Sequence, residues 1–158
     1  PSGDKFVAWH QDVTYWGLEP AEAHTAWIAI DDCDIGNGCM RVIAGSHHDG
    51  QARHGTSTRS GNLLSINQEI PEETVDSENA VDVELLAGQV SIHNGLLFHA
   101  SMPNRSKRRR AGLTIRYIST KIRQRKKNSY GKEWHPVLVS GEDTYRNFSL
   151  ERAPFAVI

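Results

Sequence analysis

Cysteine is scarce, with only Cys33 and Cys39 in 158 residues. They flank a Gly-Asn-Gly turn, and their spacing fits neither a zinc ribbon nor a redox pair. A disulfide-stapled fold is therefore excluded, and two free thiols point to a reducing, cytoplasmic setting. Long apolar runs are missing as well. No stretch approaches the roughly 20 residues that cross a bilayer, and no basic segment leads into an apolar one at the start, so neither a membrane anchor nor an export signal is expected. Charge of one sign is also lacking, since 18 basic side chains face 19 acidic ones for a formal net charge of −1. That balance argues against a nucleic-acid or membrane-surface partner. Helical periodicity is nearly absent, and nothing longer than Glu19 to His24 reads as a helix. No feature specifies an oligomeric state.

What is present is a series of short β-prone runs. Phe6-Val7-Ala8-Trp9 is apolar and extended in character, and Val13 to Leu18 continues with β-prone aromatics before breaking at Glu19-Pro20. Thr25 to Ile30 and Cys39 to Ala44 are two further runs, joined through Asp31-Asp32-Cys33-Asp34 and Gly36-Asn37-Gly38, and they read as a hairpin. The acidic trio lacks the ordered alternation and terminal Glu of a calcium loop and reads as a solvated turn. From Asp49 to Asn79 the chain is polar and rich in turn formers, broken by Leu63-Leu64-Ser65-Ile66. A loop of that length in a compact domain is expected to be a lid or substrate loop around one short strand. Val81 to Leu85 alternates as a half-exposed strand. Val90 opens another that is expected to run on through Asn94-Gly95 to Ser101, and Ala111 to Ile118 is the last. Short strands joined by Gly and Pro turns predict a single all-β domain over residues 1–158, a sandwich or barrel.

Eight histidines stand out, and Trp9-His10-Gln11-Asp12 concentrates the chemistry. On an extended backbone, side chains at i and i+2 share a face, so His10 and Asp12 can grip one ion. A second histidine from elsewhere completes the two-histidine, one-carboxylate face of non-haem Fe(II) oxygenases. The H-x-D pattern alone is weak, because a chain of this composition holds about half a match by chance. A second match, His47-His48-Asp49, sits between glycines in a turn. His99, closing the apolar run Leu96-Leu97-Phe98, is the candidate third ligand. Lys107 to Arg110 with Lys121 to Lys127 reads as a solvated basic face, except that Arg110 opens an apolar strand and so needs an anion if drawn inward.

His10, Asp12, His99 and Arg110 together resemble the phytanoyl-CoA dioxygenase (PhyH-like) family of Fe(II)- and 2-oxoglutarate-dependent oxygenases. The likeness is carried by Trp9-His10-Gln11-Asp12, by Trp27, by Asn37-Gly38-Cys39-Met40 leading to Gly45-Ser46-His47, and by His99-Ala100-Ser101 with Arg110 eleven positions beyond His99. It runs from Phe6 to Tyr117. Ala44 departs from the family, which often has a proline before Gly-Ser-His.

The resemblance implies a double-stranded β-helix, a cupin-like jelly-roll barrel, of which N-terminal elements are expected to be missing because the motif arrives so soon after Pro1. It further implies that His10, Asp12 and His99 hold Fe(II), and that Arg110, with the Ser101 hydroxyl, clamps the distal carboxylate of 2-oxoglutarate. Trp27 would lie beside that co-substrate, and O2 would be consumed. The activity implied is a dioxygenase that hydroxylates a small-molecule substrate and releases succinate and CO2. Gln11, Tyr15, Trp16 and Asn94 are expected to line the substrate pocket. The alternative is a catalytically inactive jelly-roll module that binds a small molecule.

Overall fold

The computed structural model describes residues 4–128 and 130–153; Pro1 lies outside them. Among the described residues the strands are β1 (Val7–His10), β2 (Leu18–Glu19), β3 (His24–Ala29), β4 (Met40–Val42), β5 (Gly55–Thr56), β6 (Gln68–Glu69), β7 (Val81–Val83), β8 (Val90–Asn94), β9 (His99–Ser101), β10 (Gly112–Tyr117) and β11 (Arg123–Gln124). Among the described residues helical structure is limited to short 3-10 turns. None is long and apolar enough to cross a membrane.

Two sheets carry the architecture. One has the order β1-β9-β4-β7 and the other β10-β3-β8, while β11-β2 and β5-β6 are two-stranded ribbons. Every pairing between these strands is antiparallel. Apart from β4 and β7, which pair as neighbours in one sheet, the main strands pass in chain order from one sheet to the other and back, which is jelly-roll winding: an all-β, cupin-like double-stranded β-helix rather than a series of hairpins. This overturns two expectations. β3 and β4 do not form a hairpin, because they belong to different sheets. The run from Val90 to Ser101 is two strands, since a turn with Leu97 N–H on Asn94 O carries the chain from β8 across to β9.

The turns explain the crossings. Asp34 caps the 3-10 turn Ile35–Asn37 with a reciprocal pair of bonds to Asn37. Gly38 follows at φ 80°, where a Cβ would run into the backbone of Met102 and Asn104. The acidic trio serves this corner too, since Asp34 pairs with Arg108 and Asp31 with Arg109. Arg123 and Arg125 likewise pair with Glu19. Much of the basic face is therefore engaged with nearby carboxylates.

Three local readings are corrected. Asp12–Tyr15 is a 3-10 turn rather than more strand. Glu19 to His24 is not helical, with Glu19 ending β2 and His24 opening β3. Leu63 to Ile66 forms no strand, because Asn67 N–H closes a turn on Leu64 O and the pairing strand is β6. The segment from Asp49 to Asn79 runs along the free edge of β1. Phe6 exchanges bonds with Gly61 and Leu63, and Ile70 N–H reaches Trp9 O. Ile70 and Val75 bury against Trp9 and Ala100 on the side of that sheet away from His10.

Candidate metal centre

Asp12 is brought beside His10 by one extended residue. Gln11 has φ −118° and ψ 132°, so the side chains on either side of it share a face even though Asp12 already opens the 3-10 turn. His99 joins them because β9 pairs with β1 antiparallel, and a shift of register between Val7 and His10 leaves His10 opposite His99. Asp12 Oδ1 lies 3.9 Å from His10 Nε2 and 4.0 Å from His99 Nε2. Ligand atoms of the three residues all fall within 4.8 Å of one another. The decoy triplet His47-His48-Asp49 lies in a separate 3-10 turn and takes no part in this cluster.

Both imidazoles are oriented by the backbone. His10 Nδ1 bonds Ala8 O and His99 Nδ1 bonds Leu97 O, each at 2.9 Å, which places the proton on Nδ1 and the lone pair on Nε2 toward the cluster. Burial lowers both values, that of His10 to about 3, so the rings are neutral donors. Burial would raise Asp12, but His93, His99 and the Arg116 guanidinium outweigh it and hold the carboxyl well below the usual range. Its second oxygen, Oδ2, accepts from the Thr25 hydroxyl at 2.7 Å. Two neutral nitrogens and one fixed carboxylate oxygen on a shared face are a donor set that fits Fe(II).

These residues line a cavity of about 230 Å³ between the two sheets, to which Trp27, Ser101, Thr114 and Arg110 also contribute. Arg110 makes no ion pair with any described residue, unlike Arg108 and Arg109 just before it. Gly112 leaves room for Trp27, because a Cβ there would strike the indole.

The four residues expected to meet substrate do not share this cavity. Gln11 is fully buried, donates from Nε2 to Gly50 O and Leu96 O, and accepts at Oε1 from Ala52 N–H, so no free donor is left for a substrate. Asn94 caps its own turn through Leu96 N–H. Tyr15 packs edge-on against His54. Trp16 lines an adjoining pocket with Arg116. No residue of the segment from Asp49 to Asn79 lines the metal-facing cavity.

Two titratable cavity residues, His93 and Arg116, escaped the sequence reading, as did Thr25 beside Asp12. His93 is buried 3.7 Å from Asp12 Oδ2, with neither ring nitrogen hydrogen-bonded among the described residues. Arg116 approaches Asp12 Oδ1 at 3.6 Å. The signal was available in Arg116: on β10 it has the same parity as Arg110 and Thr114, and therefore the same inward face.

A cupin-like sandwich that gathers two imidazoles and a carboxylate between its sheets defines the class. Within it, the chain belongs to the phytanoyl-CoA dioxygenase family, whose model matches residues 1–112. A phytanoyl-CoA dioxygenase domain-containing protein 1 homolog from Dictyostelium discoideum is 31% identical over 110 residues, covering 69% of this chain and 39% of its own length. A probable alpha-ketoglutarate-dependent hypophosphite dioxygenase from Stutzerimonas stutzeri is 29% identical over 120 residues, 75% of this chain and 41% of that protein. Among solved structures, the apo form of the non-heme monooxygenase ThoJ superposes with a TM-score of 0.76 at 35% identity, covering 96% of this chain and 52% of ThoJ. ThoJ is also known as a nickel complex, with a TM-score of 0.68 at 33% identity, covering 96% of this chain and 51% of that one. The chain thus spans about two fifths of its curated relatives and half of this structural one.

Proposed function

We propose that the protein is an Fe(II)- and 2-oxoglutarate-dependent oxygenase of a small molecule. His10, Asp12 and His99 would hold the metal, while Arg110 and the Ser101 hydroxyl receive the distal carboxylate of 2-oxoglutarate beside Trp27. The convergence of three preoriented donors on one face is the observation that carries this reading. The family name and the nickel complex of ThoJ support it.

When bound, Fe(II) with 2-oxoglutarate and O2 supplies decarboxylation of the co-substrate to succinate and CO2, coupled to oxidation of a substrate C–H bond, with hydroxylation the expected outcome. The chain's own residues prepare for this. The carbonyls of Ala8 and Leu97 keep both Nε2 atoms unprotonated, and Thr25 fixes the Asp12 carboxylate, so the donors need no rearrangement of protons at neutral pH. Arg110 presents a fork that matches a carboxylate in two bonds and holds no competing carboxylate. Val7, Met40 and Trp27 give part of the cavity an apolar wall. The paired state of Arg108, Arg109, Arg123 and Arg125 argues against a nucleic-acid partner.

The test is anaerobic Fe(II) titration followed by 2-oxoglutarate-dependent succinate release on exposure to O2. Stoichiometric iron and succinate are expected from the wild type and neither from His99→Ala. A wild type that binds no iron refutes the proposal, and iron binding without succinate supports the inactive binding module instead.

A further inference from the structure

Arg116 is the cavity's second guanidinium, and its surroundings differ from those of Arg110. Its one carboxylate neighbour among the described residues is Asp12, at 3.6 Å. Its guanidinium carbon also lies over Trp16, 5.1 Å from the ring centroid. The side chain is half-exposed and belongs to two cavities at once. One is the metal-facing cavity, and the other is an adjoining pocket of about 190 Å³ walled by Trp16, Leu18, Ile118, Trp134 and Pro136. Trp16 and Trp134 meet edge to face at 6.1 Å, and Trp134 Nε1 donates to Trp16 O at 3.1 Å, so the aromatic wall is held in place. Arg116 stands where the polar and the apolar compartments join.

Charge then decides what it faces. Resting on the metal-site reading above, a divalent ion on His10, Asp12 and His99 carries net +1. A doubly charged 2-oxo acid together with Arg110 brings the sum to zero. Arg116 remains as +1, and its carboxylate partner is now a metal ligand. A guanidinium in that position recruits a new anion.

We propose that Arg116 selects the primary substrate, a small molecule with an anionic group next to a compact apolar or aromatic body. The anion would pair with the guanidinium, and the apolar body would pack against Trp16, Leu18 and Trp134. An anion anchored there would hold its neighbouring carbons close to the metal-facing cavity, which is where a C–H bond must lie for oxidation.

The experiment uses phenylacetate and its neutral isostere phenylacetamide as probes. Binding is measured by calorimetry and by quenching of tryptophan fluorescence, on the full chain loaded with Ni(II) and 2-oxoglutarate so that nothing turns over. Phenylacetate is expected to bind at least about tenfold more tightly than the amide. Arg116→Met should erase that preference, Arg116→Lys should keep part of it, and 2-oxoglutarate affinity should change less than about twofold in either. Equal affinity for the two probes, or no binding of either, overturns the proposal. So does a loss of 2-oxoglutarate binding in Arg116→Met as large as the loss of phenylacetate, since Arg116 would then be a co-substrate ligand. If the wild type takes up neither nickel nor 2-oxoglutarate, the oxygenase reading fails separately. Arg116 is then judged in Asp12→Asn, where its carboxylate partner is gone without any metal, by the same two probes and the same criterion.

Discussion

Neighbouring arginines of one cluster behave differently because of what faces them. Arg108 and Arg109 close on Asp34 and Asp31, whereas Arg110, one residue on, lines the cavity without a carboxylate. Arg110→Lys is expected to raise the 2-oxoglutarate Kd more than about tenfold, because one ammonium cannot reproduce a two-bond fork; an unchanged Kd by calorimetry would return Arg110 to the surface cluster. His93 makes a separate prediction. Its imidazole is one of the groups that hold the buried Asp12 carboxylate, so His93→Leu leaves that charge less compensated and should lower the stability of the metal-free protein by about 1 kcal/mol in urea melts. The same change should weaken ligand binding if the ring meets a ligand. The pH dependence follows from three histidines. Burial lowers His10, His54 and His99 below their ordinary value. The unfolded chain therefore takes up protons that the folded chain resists. Stability is complete above a pH of about 6.5 and is lost as the pH falls below it toward the lowered values. Thermal melts of the metal-free chain should show a clear fall in midpoint between pH 7.5 and pH 5, and no fall would mean that these rings are protonated in the fold.

Gln11 shows how an element is held by a residue that motif reading assigns elsewhere. Sitting between two candidate ligands, it reads as a substrate contact, yet its amide ties β1 to the loop at Gly50 and Ala52 and to the turn at Leu96 that precedes β9. Gln11→Leu leaves two carbonyls and one N–H without partners and is expected to cost about 3 kcal/mol in denaturant unfolding. That Arg110 opens an apolar strand was legible, and the structure places it on the cavity wall just ahead of β10. The assignment of strands to sheets was not legible, because a hairpin between β3 and β4 and a crossover between them require the same local residues. What separates the two is the Gly38 corner, where left-handed backbone packs on Met102 and Asn104 from a distant part of the chain. The Asp12 turn was hidden for a similar reason: its β-prone Val, Thr and Tyr are overridden by Val13 N–H reaching Gly95 O. The motif spacing therefore pointed to residues that the fold gathers around one cavity, while their surroundings depended on long-range contacts that no window of sequence contains.

At the scale of the molecule, the candidate centre depends on closure of the whole sandwich. His10 and Asp12 come from the first strand and the turn after it, and His99 from a strand that reaches them only after the chain has crossed between sheets. Asp12 is also fixed from the opposite sheet by Thr25 on β3 and approached by Arg116 on β10. No local segment carries the three ligands, so the unfolded chain has no comparable site and a bound ion stabilises only the folded form. At a free metal concentration a hundred times Kd the gain is about 2.7 kcal/mol, which for a chain of this length is a rise in melting temperature of about 5 to 10 °C. Ni(II) is expected to produce that rise in the wild type. It should also do so in Asp49→Ala, because the His47-His48-Asp49 turn lies outside the cluster. His99→Ala should show little or none of it, having lost the one ligand that makes the site depend on β9 pairing with β1. An equal shift in all three chains would place the metal elsewhere, and a shift lost with Asp49 alone would assign it to the turn between the glycines.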